Sequence, residues 1–194
     1  MRQVLADLPI SLAGLDSLGT IDEPEETGTT FAENACQKAL YYARATNQWC
    51  LADDSGLVVD ALNGKPGVNS ARYAAERFPP DAGRPQRDAA NTEKLLEALE
   101  SIPDDARNAR FVCHLALAEP GKVLLQTTGT VDGVITRHPR GSNGFGYDPV
   151  FFVPRLEATV AEMPAELKNE LSHRGKAVRQ FADLLGQLLQ RQSH

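Results

Sequence analysis

The stretch Leu51-Ala-Asp-Asp-Ser-Gly-Leu-Val-Val-Asp60 sets two adjacent carboxylates and a hydroxyl between two apolar runs. Hard oxygens of this kind hold Mg2+, which takes a few carboxylates and completes its shell with water and substrate phosphates. Neighbouring side chains on an extended chain point to opposite faces, so Asp53 and Asp54 share one site only where the backbone bends. One of the pair is expected to face a site and the other to support it. Glu25-Glu26-Thr27-Gly28 supplies a further carboxylate from a separate loop. Asp and Gly are also favoured in turns, and a solvated hairpin tip is the plainer reading of Asp53-Asp54-Ser55-Gly56 taken alone.

Two other stretches carry chemistry. His138-Pro-Arg-Gly-Ser-Asn-Gly-Phe-Gly-Tyr-Asp-Pro149 places Phe145 and Tyr147 among glycines that let a ligand approach the backbone, with Asp148 beside them as an acceptor. A stacked base fits this combination; a turn that packs its aromatics into the core fits it as well. The glycines at 141, 144 and 146 do not follow GxGxxG spacing, which argues against a dinucleotide-binding turn. Glu166-Leu-Lys-Asn-Glu-Leu-Ser-His-Arg-Gly-Lys176 gathers Lys168, His173, Arg174 and Lys176 near a helix start, where backbone amides already favour anions. A solvated helix face accounts for this cluster almost equally. His114, His138 and His194 lack metal-ligand spacing and read as structural or surface groups.

The elements that must position these groups are legible in outline. Thr30-Phe-Ala-Glu33 is a capping box, which predicts a helix over 30–45 with Phe31, Ala35, Ala39 and Tyr42 on its core face. Asn34 and Lys38, four residues apart, share the flank beside that face. Residues 49–52 and 57–59 read as short strands bracketing the Asp-Asp-Ser-Gly turn, and 63–67 as a second turn. A loop over 78–85 leads to a helix over 85–101 that stops before Pro103. Residues 110–118 and 122–128 flank Glu119-Pro-Gly121 as a hairpin continuing toward 131–135, and 150–153 is a fully apolar strand. Ser172 caps a last helix with Ala177, Phe181, Leu184, Leu185 and Leu188 on one stripe.

The 194 residues suit one domain, with 42% apolar and 24% charged composition. No apolar run reaches the ~18 residues of a membrane span, and no signal peptide is visible, which predicts a soluble cytoplasmic protein. The net charge of −6 argues against a nucleic-acid-binding face. Cys36, Cys50 and Cys113 are too widely separated for a CxxC motif and read as free thiols.

Taken together and in order, EETGTTFAENACQKA, LADDSGLVVDAL, PGVNSARYA, GSNGFGYDPVF and ELSHRGKA resemble the inosine triphosphate pyrophosphatases, which hydrolyse non-canonical purine nucleoside triphosphates. The resemblance covers nearly the whole chain, and five ordered motifs are far more specific than any one. It implies an α/β fold with a long, mixed, twisted sheet, flanking helices, and two lobes around a central cleft within one domain, usually as a homodimer. It implies Mg2+-dependent cleavage of ITP, dITP or XTP to the monophosphate and pyrophosphate. Glu26 and Asp54 match the metal-binding carboxylates, and Asp54 also the residue that activates water. Asp53 then supports its neighbour, Ser55 contacts substrate, and Lys38 binds phosphate. Phe145, Gly146, Tyr147 and Asp148 match the base pocket, with Lys168, His173 and Arg174.

One departure accompanies the match. The family opens with a strand and a TGNxxK phosphate turn, and this sequence has no counterpart; MRQVLADL resembles the interior of the helix that follows. The sequence is therefore expected to begin late relative to the family, and a nucleotide-binding protein without turnover is the rival expectation.

Overall fold

The computed structural model describes residues 4–192. Helix α1 (Phe31–Thr46) starts where the capping box places it. Thr30 Oγ1 accepts from the Glu33 amide at 3.1 Å, and Glu33 Oε2 accepts from the Thr30 and Thr29 amides at 3.0 and 2.7 Å. Asn47, left-handed at φ 52°, ends the helix. Its buried face is Asn34, Ala35, Ala39 and Ala43, displaced from the expected Phe31 and Tyr42. The three alanines pack with Ala116 and Ala118, small side chains that bring helix and sheet close together.

Five strands form one sheet in the order β1 (Cys50–Val59), β2 (Asn108–Glu119), β3 (Lys122–Ile135), β4 (Phe151–Val153), β5 (Ala158–Thr159). The expected α/β class is borne out. Strands β2 and β3 are the arms of the hairpin through Pro120-Gly121, and β3–β4 and β4–β5 pair antiparallel, with Val134 opposite Phe152 and Phe152 opposite Thr159. Gly133 is required there, because a Cβ would meet the Phe152 carbonyl oxygen at 2.4 Å.

The expected hairpin tip at Asp53–Gly56 does not exist. Residues 50–59 form one continuous strand, and the chain turns only later, at Asn63 to Gly67. Sheet pairing overrides the local turn preference of Asp, Ser and Gly. The segments 122–128 and 131–135 likewise merge into β3.

Helices α2 (Arg84–Ala98), α3 (Ala165–Leu171) and α4 (His173–Gln192) complete the elements. Ser172 stands directly before α4 in extended backbone, as a cap requires. The chain divides into two compact units: Met1–Asp54, Cys113–Gly129 and His173–His194, and Ser55–Val112 with Thr130–Ser172. In the first unit Cys113, Leu115 and Leu117 of β2 pack with Leu5 and with Ala177, Val178, Phe181 and Leu185 of α4. In the second, Leu57, Leu95, Leu99, Phe111, Ile135, Val150 and Phe151 form the core. Each fully buried Leu or Phe contributes about 1.5–3 kcal/mol of transfer free energy. Among the described residues no helix is long and apolar enough to cross a membrane.

Candidate active site

Strand alternation decides the fate of the two carboxylates. Asp54 turns toward α1, where its Oδ1 accepts from Lys38 Nζ at 3.1 Å and its Oδ2 from Asn34 Nδ2 at 3.2 Å. Lys38 Nζ also donates to Glu26 Oε1 at 2.9 Å, so one ammonium joins the two carboxylates. Asn34, fully buried, is the link that registers the Glu26 loop against β1. Its amide oxygen accepts from Gly28 N at 2.8 Å while its nitrogen serves Asp54. Gly28 is glycine for lack of space: a Cβ would lie 2.5 Å from that amide oxygen.

Burial pushes the Asp54 carboxyl above the usual carboxylate range, against the opposing pull of Lys38 and Asn34. Burial also works against the Lys38 ammonium, but Glu26 and Asp54 together outweigh it and hold its pKa above the ordinary lysine value. Lys38 gains from two carboxylates, whereas Asp54 gains from one ammonium and is opposed by the charge of Glu26.

Asp53 points to the other face of β1, where its Oδ2 accepts from Arg174 of α4 at 2.7 Å. Burial disfavours the guanidinium charge; Asp53, together with Cys113, outweighs it and raises its pKa. The start of α4 reaches the sheet at Gly129, where a Cβ would meet the His173 carbonyl oxygen at 2.0 Å. Arg174, expected beside a base, is thus bound to the supporting carboxylate and not to the Asp54 cluster.

In the second unit the Gly-rich loop answers the question of its two aromatics with a division. Phe145 is 48% exposed, whereas Tyr147 is 4% exposed and donates its hydroxyl to the Ser70 carbonyl at 2.9 Å. The Tyr147 ring is a core element, its hydroxyl pKa raised by burial, and does not offer a face for stacking. Asp148 Oδ2 accepts from the Phe145 amide at 2.8 Å and from Lys168 Nζ at 2.5 Å. Lys168 Nζ lies 4.6 Å from the Phe145 ring centre and the Arg84 guanidinium 4.1 Å from it. Gly146 is fastened to α2: its amide donates to Asp88 at 2.9 Å, and Thr92 Oγ1 donates to its carbonyl at 3.4 Å. Phe145, Arg84, Asp88, Thr92 and Asn143 border a groove of about 1180 Å3.

Gly144 closes this arrangement at φ 83°; a Cβ there would lie 2.1 Å from Asp148 Oδ2 and 2.7 Å from Lys168 Nζ. Gly144→Ala is expected to cost about 1–3 kcal/mol of stability through the left-handed backbone and the lost Asp148–Lys168 contact, read by denaturant titration. A midpoint equal to wild type would contradict the crowding.

The structure therefore brings together Glu26, Lys38 and Asp54, and separately Phe145, Gly146, Asp148 and Lys168. Ser55 follows Asp54 on β1 and is half-buried. His114 is structural, with ring nitrogens bonded to Thr128 at 2.7 Å and Gln126 at 3.1 Å; His194 lies outside the described residues. The three cysteines are free thiols. Asn34, Arg84, Asp88 and Thr92 were not among the expected site residues. Asn34 had a signal in its helical spacing to Lys38; Asp88 and Thr92, four apart on α2, matched no motif.

The Ham1 family profile matches residues 1–184. The chain belongs to the Ham1 family. Among Ham1 relatives, the dITP/XTP pyrophosphatase of Listeria monocytogenes serotype 4b (strain F2365) is 49% identical over 190 residues, spanning 98% of this chain and 90% of the relative. The dITP/XTP pyrophosphatase of Geobacter sulfurreducens is 49% identical over 183 residues, spanning 94% and 88%. The structure of a Ham1 protein from Coxiella burnetii superposes with a TM-score of 0.86 at 43% identity, covering 96% of this chain and 91% of that one. The resemblance carried by the five sequence motifs and the Ham1 assignment agree over nearly the same residues.

Proposed function

We propose that this chain hydrolyses non-canonical purine nucleoside triphosphates, ITP, dITP and XTP, to the monophosphate and pyrophosphate, removing them from the nucleotide pool. The observation that carries the reading is the convergence of Glu26 and Asp54 on one ammonium, in a chain about half identical to dITP/XTP pyrophosphatases over nearly its whole length. A binding protein without turnover is not favoured, since the carboxylates that hydrolysis needs are present and preorganised.

The donor set fits Mg2+: two hard carboxylate oxygens, Glu26 Oε1 and Asp54 Oδ1, lie within 3.1 Å of one ammonium, and Mg2+ takes a few carboxylates and completes its shell with water and phosphate. Glu26 and Asp54 would hold it. Bound there, Mg2+ supplies charge neutralisation to the phosphate oxygens. Asp54 accepts the proton of the water that attacks the α-phosphorus, a role open to a carboxylate within hydrogen-bond reach of that water. Lys38 stabilises charge developing on the leaving pyrophosphate. Asp53, anchored by Arg174, keeps the backbone of its neighbour in place.

For the base, exposed Phe145 is the stacking surface, with Ser55, Gly146, Asp148, Lys168, His173 and Arg174 as further substrate contacts. Donors aimed at O6 accept a 6-keto purine; an adenine amine leaves them unpaired, which is costly where water is excluded. The working form in this reading is a cytoplasmic homodimer.

Steady-state rates across ITP, dITP, XTP, ATP and GTP test the proposal. The expected result is a kcat/KM for the 6-keto, 2-unsubstituted or 2-keto purines at least about a hundredfold above that for ATP. Equal rates for ITP and ATP would refute the substrate class.

A further inference from the structure

The segment Pro-Gly-Val-Asn-Ser-Ala-Arg-Tyr-Ala74 is one of the five motifs of the chain, and the proposed reaction gives it no role. It forms a short 3-10 turn, Gly67–Arg72, with Ser70 only 8% exposed at its centre. Ser70 makes three contacts, and each reaches a different part of the second unit. Its Oγ accepts from the Leu57 amide of β1 at 2.8 Å and donates to the Gly67 carbonyl at 2.6 Å. Its own carbonyl accepts from the Tyr147 hydroxyl at 2.9 Å.

The two ends of this relay are buried, and each adjoins residues that a substrate would meet in this reading. Leu57 lies two residues beyond Ser55, on the same face of the strand by the period-two rule. Tyr147 lies between Gly146, which α2 holds through Asp88 and Thr92, and Asp148, which holds the Phe145 amide and Lys168. The relay is itself anchored: Asn91 of α2 donates to the Ala71 carbonyl at 3.1 Å and accepts from the Ala74 amide at 2.7 Å. A serine suits the position because a hydroxyl donates and accepts at once on a short stem. Alanine would leave the fully buried Leu57 residue without this acceptor for its amide.

We propose that Ser70 is a positioning residue that sets the base loop against strand β1 and so governs discrimination between 6-keto and 6-amino purines. The inference rests on the pyrophosphatase reading. Ser70 touches no reacting atom in it; it acts through Leu57 and Tyr147.

The test uses the 194-residue protein, Ser70→Ala, Tyr147→Phe and the double variant. Three quantities are measured on each: kcat/KM for ITP and ATP, calorimetric Kd for IMP and AMP, and the thermal midpoint. With two short hydrogen bonds lost, Ser70→Ala is expected to reduce the ITP:ATP and IMP:AMP ratios by about tenfold, while kcat for ITP falls by less than about threefold. Tyr147→Phe is expected to lower the same ratios, and the double variant to go no lower than the more affected single, because both substitutions cut one connection. A Ser70→Ala protein whose ratios stay within about twofold of wild type overturns the proposal, whatever its midpoint, since loss of stability alone does not move a ratio. If Ser70→Ala does not fold, unchanged ratios in Tyr147→Phe overturn it equally. A wild type that binds IMP over AMP but hydrolyses neither triphosphate refutes the pyrophosphatase reading, while the binding ratios still decide the role of Ser70. A wild type without any preference in binding overturns both.

Discussion

Asp54→Asn is expected to lower turnover of ITP by about a thousandfold while leaving nucleotide binding and folding intact, because it removes the base and keeps the shape. Asparagine retains an acceptor and a planar group at the position now held by Asn34 and Lys38. The stability outcome follows from the sign of the shift. The folded-state pKa of Asp54 is raised by burial, so the folded protein holds that proton more tightly than the unfolded chain. Stability therefore falls as pH rises from the ordinary aspartate value of 3.8 through the raised one, and above that window the ionised carboxylate is a net cost. In chelator-treated protein at pH 7, the thermal midpoint of Asp54→Asn is expected to equal or exceed that of wild type. Undiminished turnover in Asp54→Asn would remove Asp54 from the chemistry; a lost fold would mean that its charge is structural.

Lys38→Met carries the second large effect. The ammonium now neutralises Glu26 and Asp54 at 2.9 and 3.1 Å, and its removal leaves a half-buried and a buried carboxylate without it. A loss of about 1–3 kcal/mol is expected for the uncompensated groups, a fall of several degrees in midpoint for a chain of this size. Because the folded-state pKa of Lys38 is raised, the stabilisation it gives is complete at neutral pH and disappears only as pH rises through that elevated value. Turnover is expected to drop by about a hundredfold through the lost charge on the leaving group. Added Mg2+ should raise the midpoint of Lys38→Met by more than that of wild type, since metal and ammonium neutralise the same oxygens and binding to the folded state stabilises it. A midpoint indifferent to Mg2+ in both proteins would contradict the assignment of Glu26 and Asp54 as metal ligands.

How far the sequence reached depends on the range of the interactions involved. Helix α1 was legible to within a residue because its capping box is local, and the Asn34–Lys38 flank that meets Asp54 follows from helical geometry alone. The alternation that separates Asp53 from Asp54 was legible as well, since it needs only an extended backbone. That the backbone is extended was not, because Asp-Asp-Ser-Gly favours a turn locally and becomes strand only through pairing inside a five-stranded sheet. Arg174 meets Asp53 across 121 positions, and Tyr147 meets Ser70 across 77. No periodicity or spacing carries such pairs, so neither the burial of the Tyr147 ring nor the bond from Arg174 to the supporting carboxylate was legible. Which of the two aromatics of the loop is exposed, Phe145, was equally not legible, since both readings suited either ring.

The products formed from ITP in the presence of Mg2+ are the most direct test of the proposed hydrolysis. Attack on the α-phosphorus with Asp54 as base predicts IMP and pyrophosphate in equal amounts, with no inorganic phosphate until a separate pyrophosphatase is added. IDP with inorganic phosphate, or no consumption of ITP, would contradict it.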